Sequence, residues 1–386
     1  MTSPVCRLGV LLLVLAAPAL RAEDTQPTAT PTPAPAPTPA PADRAAIQLG
    51  VTIFTDFTEQ AAPKVSDADG NLVSKGEFEV RRAYVNVTGK VSDRVAFRIT
   101  PDVASRLATS LAGTGLPTDA KAATNLDGSL VVRLKYGYAQ IGLERILGWT
   151  QASWVRIGQQ QTPYLDFMEG IYRYRFQGTT FVERQGLLSS ADVGLSARSE
   201  LPGGYGDVHL GWFNGDTYTK AEVNDQKALQ LRASVRPLPR QRTLLGLRLH
   251  AFYDHDSPVE GGSRQRFVSS LTFEHPRLNA GVDYVRAEDR ASGRPTAASV
   301  RARGWSLWLT PRASCGLEAL FRYDHYEPSQ TSGASKRTIA GLAYWFPVQK
   351  APRAAALLAD YDGITFDAGL SKPAERRWEL KALVNF

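Results

Sequence analysis

Apolar and polar residues alternate along most of this chain. From Ile47 to Phe386 the alternation runs in stretches of about ten positions, which Gly, Pro, Asn and Asp separate. Successive side chains of a β-strand point to opposite faces, so a period of two predicts strands with one apolar and one polar face. The last stretch is the clearest: its apolar face is Trp378, Leu380, Ala382, Val384 and Phe386, and its polar face is Arg377, Glu379, Lys381 and Asn385, interrupted by Leu383.

The polar faces of these strands are regularly charged. In a dry protein core each charge would need a partner, whereas a charge that faces a water-filled lumen costs little. The pattern therefore disfavours a soluble β-sandwich and predicts an all-β protein, a 16-stranded antiparallel transmembrane β-barrel, with the even strand number of bacterial single-chain barrels. The predicted strands are 47–57, 77–89, 93–101, 129–142, 153–161, 190–199, 206–214, 227–236, 244–254, 264–274, 277–286, 300–310, 315–326, 335–346, 353–361 and 376–386.

Short and long connections alternate between the predicted strands. Gly and Pro give the short ones their turn geometry, and bacterial barrels have short periplasmic turns and longer outer loops. We therefore expect both chain ends in the periplasm and residues 162–189 as the third outer loop. The longer segments lie near 58–76, 102–128, 162–189, 215–226, 287–299 and 362–375.

Aromatic residues concentrate near the predicted strand ends, as expected for the two interfacial girdles of a membrane barrel. In a soluble sandwich they would lie in the middle of the core instead. The predicted periplasmic girdle is Trp154, Phe273, Trp308, Trp345, Phe346 and Phe386, and the outer girdle is Phe54, Phe57, Phe252, Tyr253, Tyr284, Phe321, Tyr323 and Tyr361.

The N-terminal region differs from the barrel. Residues 1–22 combine Arg7, the apolar run 8–20 and small residues, which predicts a secretory signal peptide; a retained anchor helix is the alternative. Residues 23–46 are rich in Pro, Ala and Thr, favour extended polyproline II and predict a periplasmic spacer. Export followed by a barrel at 47–386 indicates the bacterial outer membrane.

The polar faces predict a basic pore wall. Removal of residues 1–22 leaves 43 Lys and Arg against 38 Asp and Glu, although such an excess could instead favour binding to anionic lipid headgroups. Opposing acids on the same faces are Asp192, Asp254, Glu318, Asp324 and Glu379. The predicted pore-lining residues are Arg82, Arg98, Arg133, Lys135, Arg156, Arg198, Arg232, Arg248, Arg322 and Lys381, joined by Arg236 and Arg377.

One part of the chain resembles a known family. The run 154–159, then Pro163, Glu169 and 181–184, together with the upstream 81–83 and the downstream 211–215, is similar to the phosphate-selective O and P porins. The resemblance implies a 16-stranded barrel, usually trimeric, whose third outer loop folds into the pore. That loop departs from the family pattern because it lacks Lys, and its constriction residues would be Tyr164, Asp166, Glu169, Arg173, Arg175, Glu183 and Arg184.

These features favour a porin for passive diffusion of small hydrophilic solutes, with a preference for phosphate-like or other small anions. The alternatives are an outer-membrane enzyme acting on lipid or surface sugar, and a structural barrel with a blocked lumen. We expect no enzyme activity, cofactor, metal or nucleic-acid partner, since no serine-hydrolase elbow, phosphate loop or zinc-protease motif is present. The expected partners are small anionic or polar solutes, outer-membrane lipid, two further copies in a homotrimer, and the assembly machinery, which would recognise Trp378, Leu380, Val384 and Phe386.

Overall fold

The computed structural model describes residues 47–105, 130–144, 152–222, 224–290, 298–330, 333–348 and 354–386. The predicted signal peptide, the spacer and most of the second outer loop lie outside these residues and remain predictions.

Sixteen strands dominate the described chain. The strands are β1 (Ile47–Ser66), β2 (Leu72–Lys90), β3 (Val95–Ser105), β4 (Leu130–Gly142), β5 (Ser153–Gln161), β6 (Ala191–Leu201), β7 (Gly206–Phe213), β8 (Ala228–Val235), β9 (Leu247–Asp256), β10 (Ser263–His275), β11 (Leu278–Arg290), β12 (Val300–Pro311), β13 (Leu317–Glu327), β14 (Ser335–Trp345), β15 (Ala354–Phe366) and β16 (Glu375–Asn385). Two short helices, α1 (Leu165–Tyr172) and α2 (Phe181–Arg184), lie in the connection between β5 and β6.

Each strand pairs antiparallel with its neighbours in the sequence, and β1 pairs with β16 to close the barrel. Beside that seam, Val51 and Phe386 exchange two backbone hydrogen bonds, at 2.9 and 3.0 Å. A closed sheet leaves no strand edge unpaired. The predicted fold class, a 16-stranded antiparallel barrel, is confirmed.

The first hairpin is longer than the sequence predicts. Residues 58–76 were expected to form an outer loop, yet β1 and β2 continue through most of this segment, and Val65 still pairs with Val73. Apolar and polar residues alternate poorly in this segment, and the strand register shifts between Gln60 and Val65. No period-two pattern therefore marks these residues as strand. The connection itself shrinks to residues 67–71.

The two faces of the barrel wall differ as the alternation predicts. Large apolar side chains such as Trp212, Leu249 and Trp378 point outward and are exposed, while charged side chains on the intervening positions are buried. Within the described part of the chain, no helix has both the length and the apolar character needed to cross a membrane.

Candidate functional site

The connection between β5 and β6 is bonded to inward-facing side chains of the barrel wall. The Tyr164 hydroxyl donates to Asp283 on β11 at 3.0 Å, and the Asn279 amide on the same strand donates to the Ile171 carbonyl at 2.8 Å. The Arg232 guanidinium on β8 donates to the Pro163 carbonyl at 2.7 Å. These bonds fix the first half of the connection against β8 and β11.

The second half of the connection is bonded farther round the barrel. Arg322 on β13 donates to the Thr179 carbonyl at 2.8 Å, and the Gln177 amide donates to Asp360 on β15 at 3.1 Å. Arg184 forms an ion pair with Asp362, also on β15, at 3.1 Å. The described hydrogen bonds and ion pairs between residues 163–187 and the strands end on β8, β10, β11, β13, β14 and β15.

Apolar side chains also pack between the β5–β6 connection and the barrel wall. Tyr172 packs edge-on against Trp308 with ring centroids 5.2 Å apart, and Tyr174 packs against Trp345 at 5.8 Å. Burial of rings of this size is strongly favourable. The buried cluster includes wall residues Val268, Val285, Leu320, Ile339, Leu358 and Leu383, and residues Leu165, Met168, Ile171, Phe176, Phe181 and Val182 of the connection.

This cluster corrects part of the girdle prediction. Trp308 and Trp345 were assigned to the periplasmic girdle, but their rings lie on the inward face against the β5–β6 connection. Phe252 likewise packs against Tyr164, with centroids 5.3 Å apart, and Phe54 against the inward Tyr84 at 6.0 Å. The alternation of these strands puts the four rings inside, where residues of the connection contact Phe252, Trp308 and Trp345, and Tyr84 of the wall contacts Phe54.

All ten predicted pore-lining residues occupy inward-facing positions, but most of them are neutralised. Arg82 and Arg133 both approach the buried Asp102, at 3.6 and 3.1 Å, and Arg198 and Arg232 share Asp207. Four further ion pairs are Arg248 with Glu274 at 2.9 Å, Arg322 with Asp324 at 2.7 Å, and Lys381 with both Asp56 and Glu379, each at 3.2 Å.

Several of these acids are absent from the residues that the sequence predicts for the pore wall. Asp56, Asp102 and Asp207 are buried on the inward face and each has at least one basic partner. Asp207 stands in the alternating run of β7, so parity alone could have identified it. The inner wall is therefore less basic, taken as a whole, than the predicted residue set suggests.

Three predicted residues have weakly compensated charges, since Glu169 acts electrostatically on Lys135 and Asp166 on Arg156, both from beyond ion-pair distance. Among the described residues, no ion pair involves Arg98, Lys135 or Arg156, which lie on the adjacent strands β3, β4 and β5. Arg98 donates to Asn86 at 2.7 Å and Lys135 to the Tyr84 hydroxyl at 3.2 Å. Arg156 donates to the amide oxygens of Gln140 and Gln161, at 2.8 and 3.1 Å. We call Arg98, Lys135 and Arg156 the basic strip.

Aromatic rings accompany the basic strip. The Arg98 guanidinium lies 4.6 Å from the Tyr136 ring centroid, and the Arg156 guanidinium lies 3.9 Å from that of Trp154 and 4.6 Å from that of Tyr138. Such cation–π contacts attract the charge to the ring face without neutralising it. Trp154 thus lies inside the barrel rather than in the periplasmic girdle.

Two irregularities in the strands bring unexpected side chains inward. The register of β3 with β4 shifts between Thr100 and Pro101, so Lys135 and Tyr136 are neighbours in sequence and yet both are buried. A similar shift between Phe54 and Thr55 lets Arg81 reach Asp56 at 2.7 Å, although Arg82 is also inward. A β-bulge of this kind places two consecutive residues opposite one partner.

The predicted constriction residues divide between contacts with one another and contacts with the barrel wall. Arg175 approaches Glu169 at 2.7 Å and Glu183 at 3.8 Å, and Arg173 approaches Glu318 on β13 at 3.5 Å. Burial raises the pKa of Glu169 to about 7, against the opposing effect of the Arg175 guanidinium. Asp166 is exposed and belongs to no ion pair among the described residues.

Comparison with known proteins agrees on the fold. No protein-family model and no curated protein matches the chain, so neither comparison supports the phosphate-selective O and P family in particular. One similar solved structure is outer-membrane OmpT of Vibrio cholerae, with a TM-score of 0.56 and 14% sequence identity over 90% of this chain and 99% of that one. A second is an anion-selective porin from Comamonas acidovorans, with a TM-score of 0.57 and 11% identity over 89% of this chain and 100% of that one. A third is the outer-membrane channel DcaP of Acinetobacter baumannii, with a TM-score of 0.52 and 13% identity over 89% of this chain and 97% of that one. The chain has the fold of the outer-membrane porins.

Proposed function

We propose that this protein is a bacterial outer-membrane porin that lets small hydrophilic anions diffuse passively. The basic strip is the observation that supports this most directly. Arg98, Lys135 and Arg156 occupy three adjacent strands on the inward face and form no ion pair among the described residues, although Glu169 and Asp166 act on Lys135 and Arg156 from farther away. Cations in a confined passage are screened less than in bulk water and attract anions more strongly.

The position of the β5–β6 connection supports the same proposal. It is bonded to β8, β10, β11 and β13–β15, whereas the basic strip lies on β3–β5. The connection would fill one side of the lumen and leave the passage on the other, between α1 and the basic strip. Inorganic phosphate is one candidate anion, but the absence of Lys from the connection favours a general anion preference over phosphate specificity.

A planar bilayer measurement tests the proposal. With the more concentrated KCl on one side, an anion-preferring channel makes the dilute side negative at zero current. We expect this sign for the purified protein. Neutralising the basic strip with Arg98→Gln, Lys135→Gln and Arg156→Gln should weaken it.

A matched control removes the same number of charges from the outside of the barrel. Arg286, Arg303 and Arg376 occupy outward-facing strand positions, and replacing all three by Gln should leave the zero-current potential unchanged. A wild-type channel that prefers cations, or a protein that gives no conductance, would contradict the proposal.

We also propose a homotrimer in the outer membrane, inserted by the assembly machinery. One solved form of the similar OmpT is a trimer. The apolar outward belt would contact lipid, apart from the faces between subunits. Chemical crosslinking of the folded protein in detergent, followed by gel electrophoresis without boiling, would reveal a trimer or a monomer.

A further inference from the structure

Two arginines lie directly opposite each other on the outward face of the barrel. Arg286 on β11 pairs with Arg303 on β12 in the strand register. Both are exposed, while their neighbours Val285 and Gly304 are buried on the inward face. Directly opposed side chains on one sheet face have Cβ atoms about 4.5–5.5 Å apart, and like charges so placed destabilise the sheet. The pair therefore needs something to offset its repulsion.

These arginines line a cavity in the outward surface. The cavity measures about 420 Å³, and its lining includes Arg286, Arg301 and Arg303 beside the rings of Tyr253, Phe267 and Tyr284. It lies toward the end of β11 and the beginning of β12, at the barrel end that carries the β5–β6 connection. Guanidinium groups and aromatic rings thus lie together on the outward face, among the exposed apolar side chains of the barrel.

The charges around the cavity are not balanced. Arg301 forms an ion pair with Glu288 at 3.0 Å, and Arg303 with Glu327 at 2.7 Å. Arg286 instead donates its Nε proton to the Tyr284 hydroxyl at 3.0 Å, and within the described residues no carboxylate pairs with it. One positive charge therefore remains, and a single anion that lies between Arg286 and Arg303 would neutralise it.

We propose that this cavity binds the phosphate-bearing headgroup of a lipid in the outer leaflet of the membrane. The planar guanidinium fork matches phosphate oxygens in pairs, which suits the two facing arginines. Tyr253, Phe267 and Tyr284 would contact the apolar and sugar parts of the same molecule, since aromatic side chains favour the membrane interface. The assignment to lipid rather than free phosphate follows from the outward orientation of the cavity, and it rests on the outer-membrane location proposed above.

Lipid binding to the full protein in detergent tests the site. The probe is the bisphosphorylated diglucosamine lipid of bacterial outer leaflets, and binding is measured by native mass spectrometry and by the midpoint of thermal unfolding. We expect one lipid per barrel and a rise in the midpoint, because a ligand that binds only the folded state stabilises it. The variant Arg286→Gln/Arg303→Gln should bind roughly tenfold more weakly or worse, as expected for the loss of charge-assisted hydrogen bonds.

The matched control is Arg376→Gln. Arg376 is also an exposed arginine near the same end of the barrel, but its cross-strand neighbours are Ala62 and Gly363. Lipid binding by this variant should equal that of the wild type. Equal losses in both variants would mean that the lipid responds only to surface charge, and the site would be disproved.

Two further experiments identify the ligand and test the effect of the repulsion between Arg286 and Arg303. The same lipid without its phosphates should bind weakly, and inorganic phosphate at equal phosphate concentration should not raise the unfolding midpoint; equal binding or equal protection would overturn the proposal. Without lipid, Arg286→Gln should unfold at the wild-type temperature or above it, because it removes the repulsion with Arg303. A lower temperature would show that the arginine pair stabilises the barrel by itself.

This result is separable from the porin proposal. Conductance of the Arg286→Gln/Arg303→Gln variant in a bilayer should match that of the wild type, since both residues point away from the lumen. A protein that conducts but does not bind the lipid would disprove the lipid site alone. A protein that binds the lipid but does not conduct would disprove the porin proposal alone.

Discussion

Arg322 on β13 donates a 2.8 Å hydrogen bond to the backbone carbonyl of Thr179, which lies in the β5–β6 connection. The same guanidinium forms a 2.7 Å ion pair with Asp324, and both side chains are almost completely buried. One charged pair in the barrel wall thus holds the segment that we propose to border the passage. Its removal should change both the stability of the barrel and the behaviour of the channel.

Arg322→Met should destabilise the protein. The substitution leaves the Asp324 carboxylate buried without its ionic partner, and losses of this kind cost roughly 3–5 kcal/mol. We expect a lower midpoint of thermal unfolding, followed by the change in gel migration on heating, and a noisier single-channel current because Thr179 is released. An unchanged midpoint would show that the pair contributes little to stability.

The double variant Arg322→Met/Asp324→Asn separates the two effects. It removes both charges, so most of the lost stability should return, while the bond to Thr179 is still absent. The current should therefore remain noisy at a nearly normal unfolding midpoint. A quiet current in the double variant would assign the noise to destabilisation and not to the released connection.

The anion preference should depend on pH near neutrality. Burial raises the pKa of Glu169 to about 7, so its carboxyl is largely charged at pH 8 and largely neutral at pH 6. Loss of this negative charge beside the passage should strengthen the anion preference as the pH falls. Zero-current potentials at pH 8 and pH 6 measure the effect, and Glu169→Gln should reduce the difference between them.

Asp166→Asn is the matched comparison for this pH dependence. Asp166 belongs to the same helix, is exposed and has no ion pair among the described residues. Its neutralisation should raise the anion preference equally at both pH values and leave the pH dependence in place. If Asp166→Asn removed the pH dependence, Glu169 would not be the titrating group.

The strands could be predicted from the sequence because one face of each strand is apolar toward lipid and the other is polar toward the barrel interior, which imposes a period of two. Predicted and observed bounds of β5 coincide at 153–161, and those of most other strands differ by one to four residues. The extension of β1 and β2 was not predictable in the same way. Their outer parts alternate poorly, so no hydrophobic pattern marks the pairing of Val65 with Val73.

The candidate site was only partly predictable, for two physical reasons. Parity correctly placed Arg98, Lys135 and Arg156 inward, but the inward position of Tyr136 depends on a bulge that the partner strand sets. The inward apolar residues depend on contacts with a segment distant in sequence: Trp308 packs against Tyr172 of the β5–β6 connection. A period-two pattern says which face a residue occupies, but not what covers that face.

The topology can be tested with epitope tags on intact cells. Tags in residues 106–129, which follow β3, and in residues 291–299, which follow β11, should bind antibody without permeabilisation, because both strands end at the end of the barrel opposite Ile47. A tag in residues 347–352 should bind only after the membrane is opened. Opposite labelling would show that the barrel is inserted with the other orientation.

The C-terminal aromatic residue provides the last prediction. Trp378, Leu380, Val384 and Phe386 point outward and are exposed, as expected for a stripe that the assembly machinery recognises. The backbone of Phe386 also bonds to Val51 in both directions, so deleting the residue would disturb the barrel closure as well as the signal. Phe386→Ala keeps these backbone bonds and removes only the ring.

We expect Phe386→Ala to lower the amount of folded barrel in the outer membrane, and Phe386→Tyr to restore it, because an aromatic ring is then present at the same position. Heat-modifiable migration on a gel measures the folded fraction. The purified Phe386→Ala chain should still refold in detergent with the wild-type yield, since no assembly machinery is present there. Equal losses in cells and in detergent would assign the ring to stability of the closed barrel rather than to recognition.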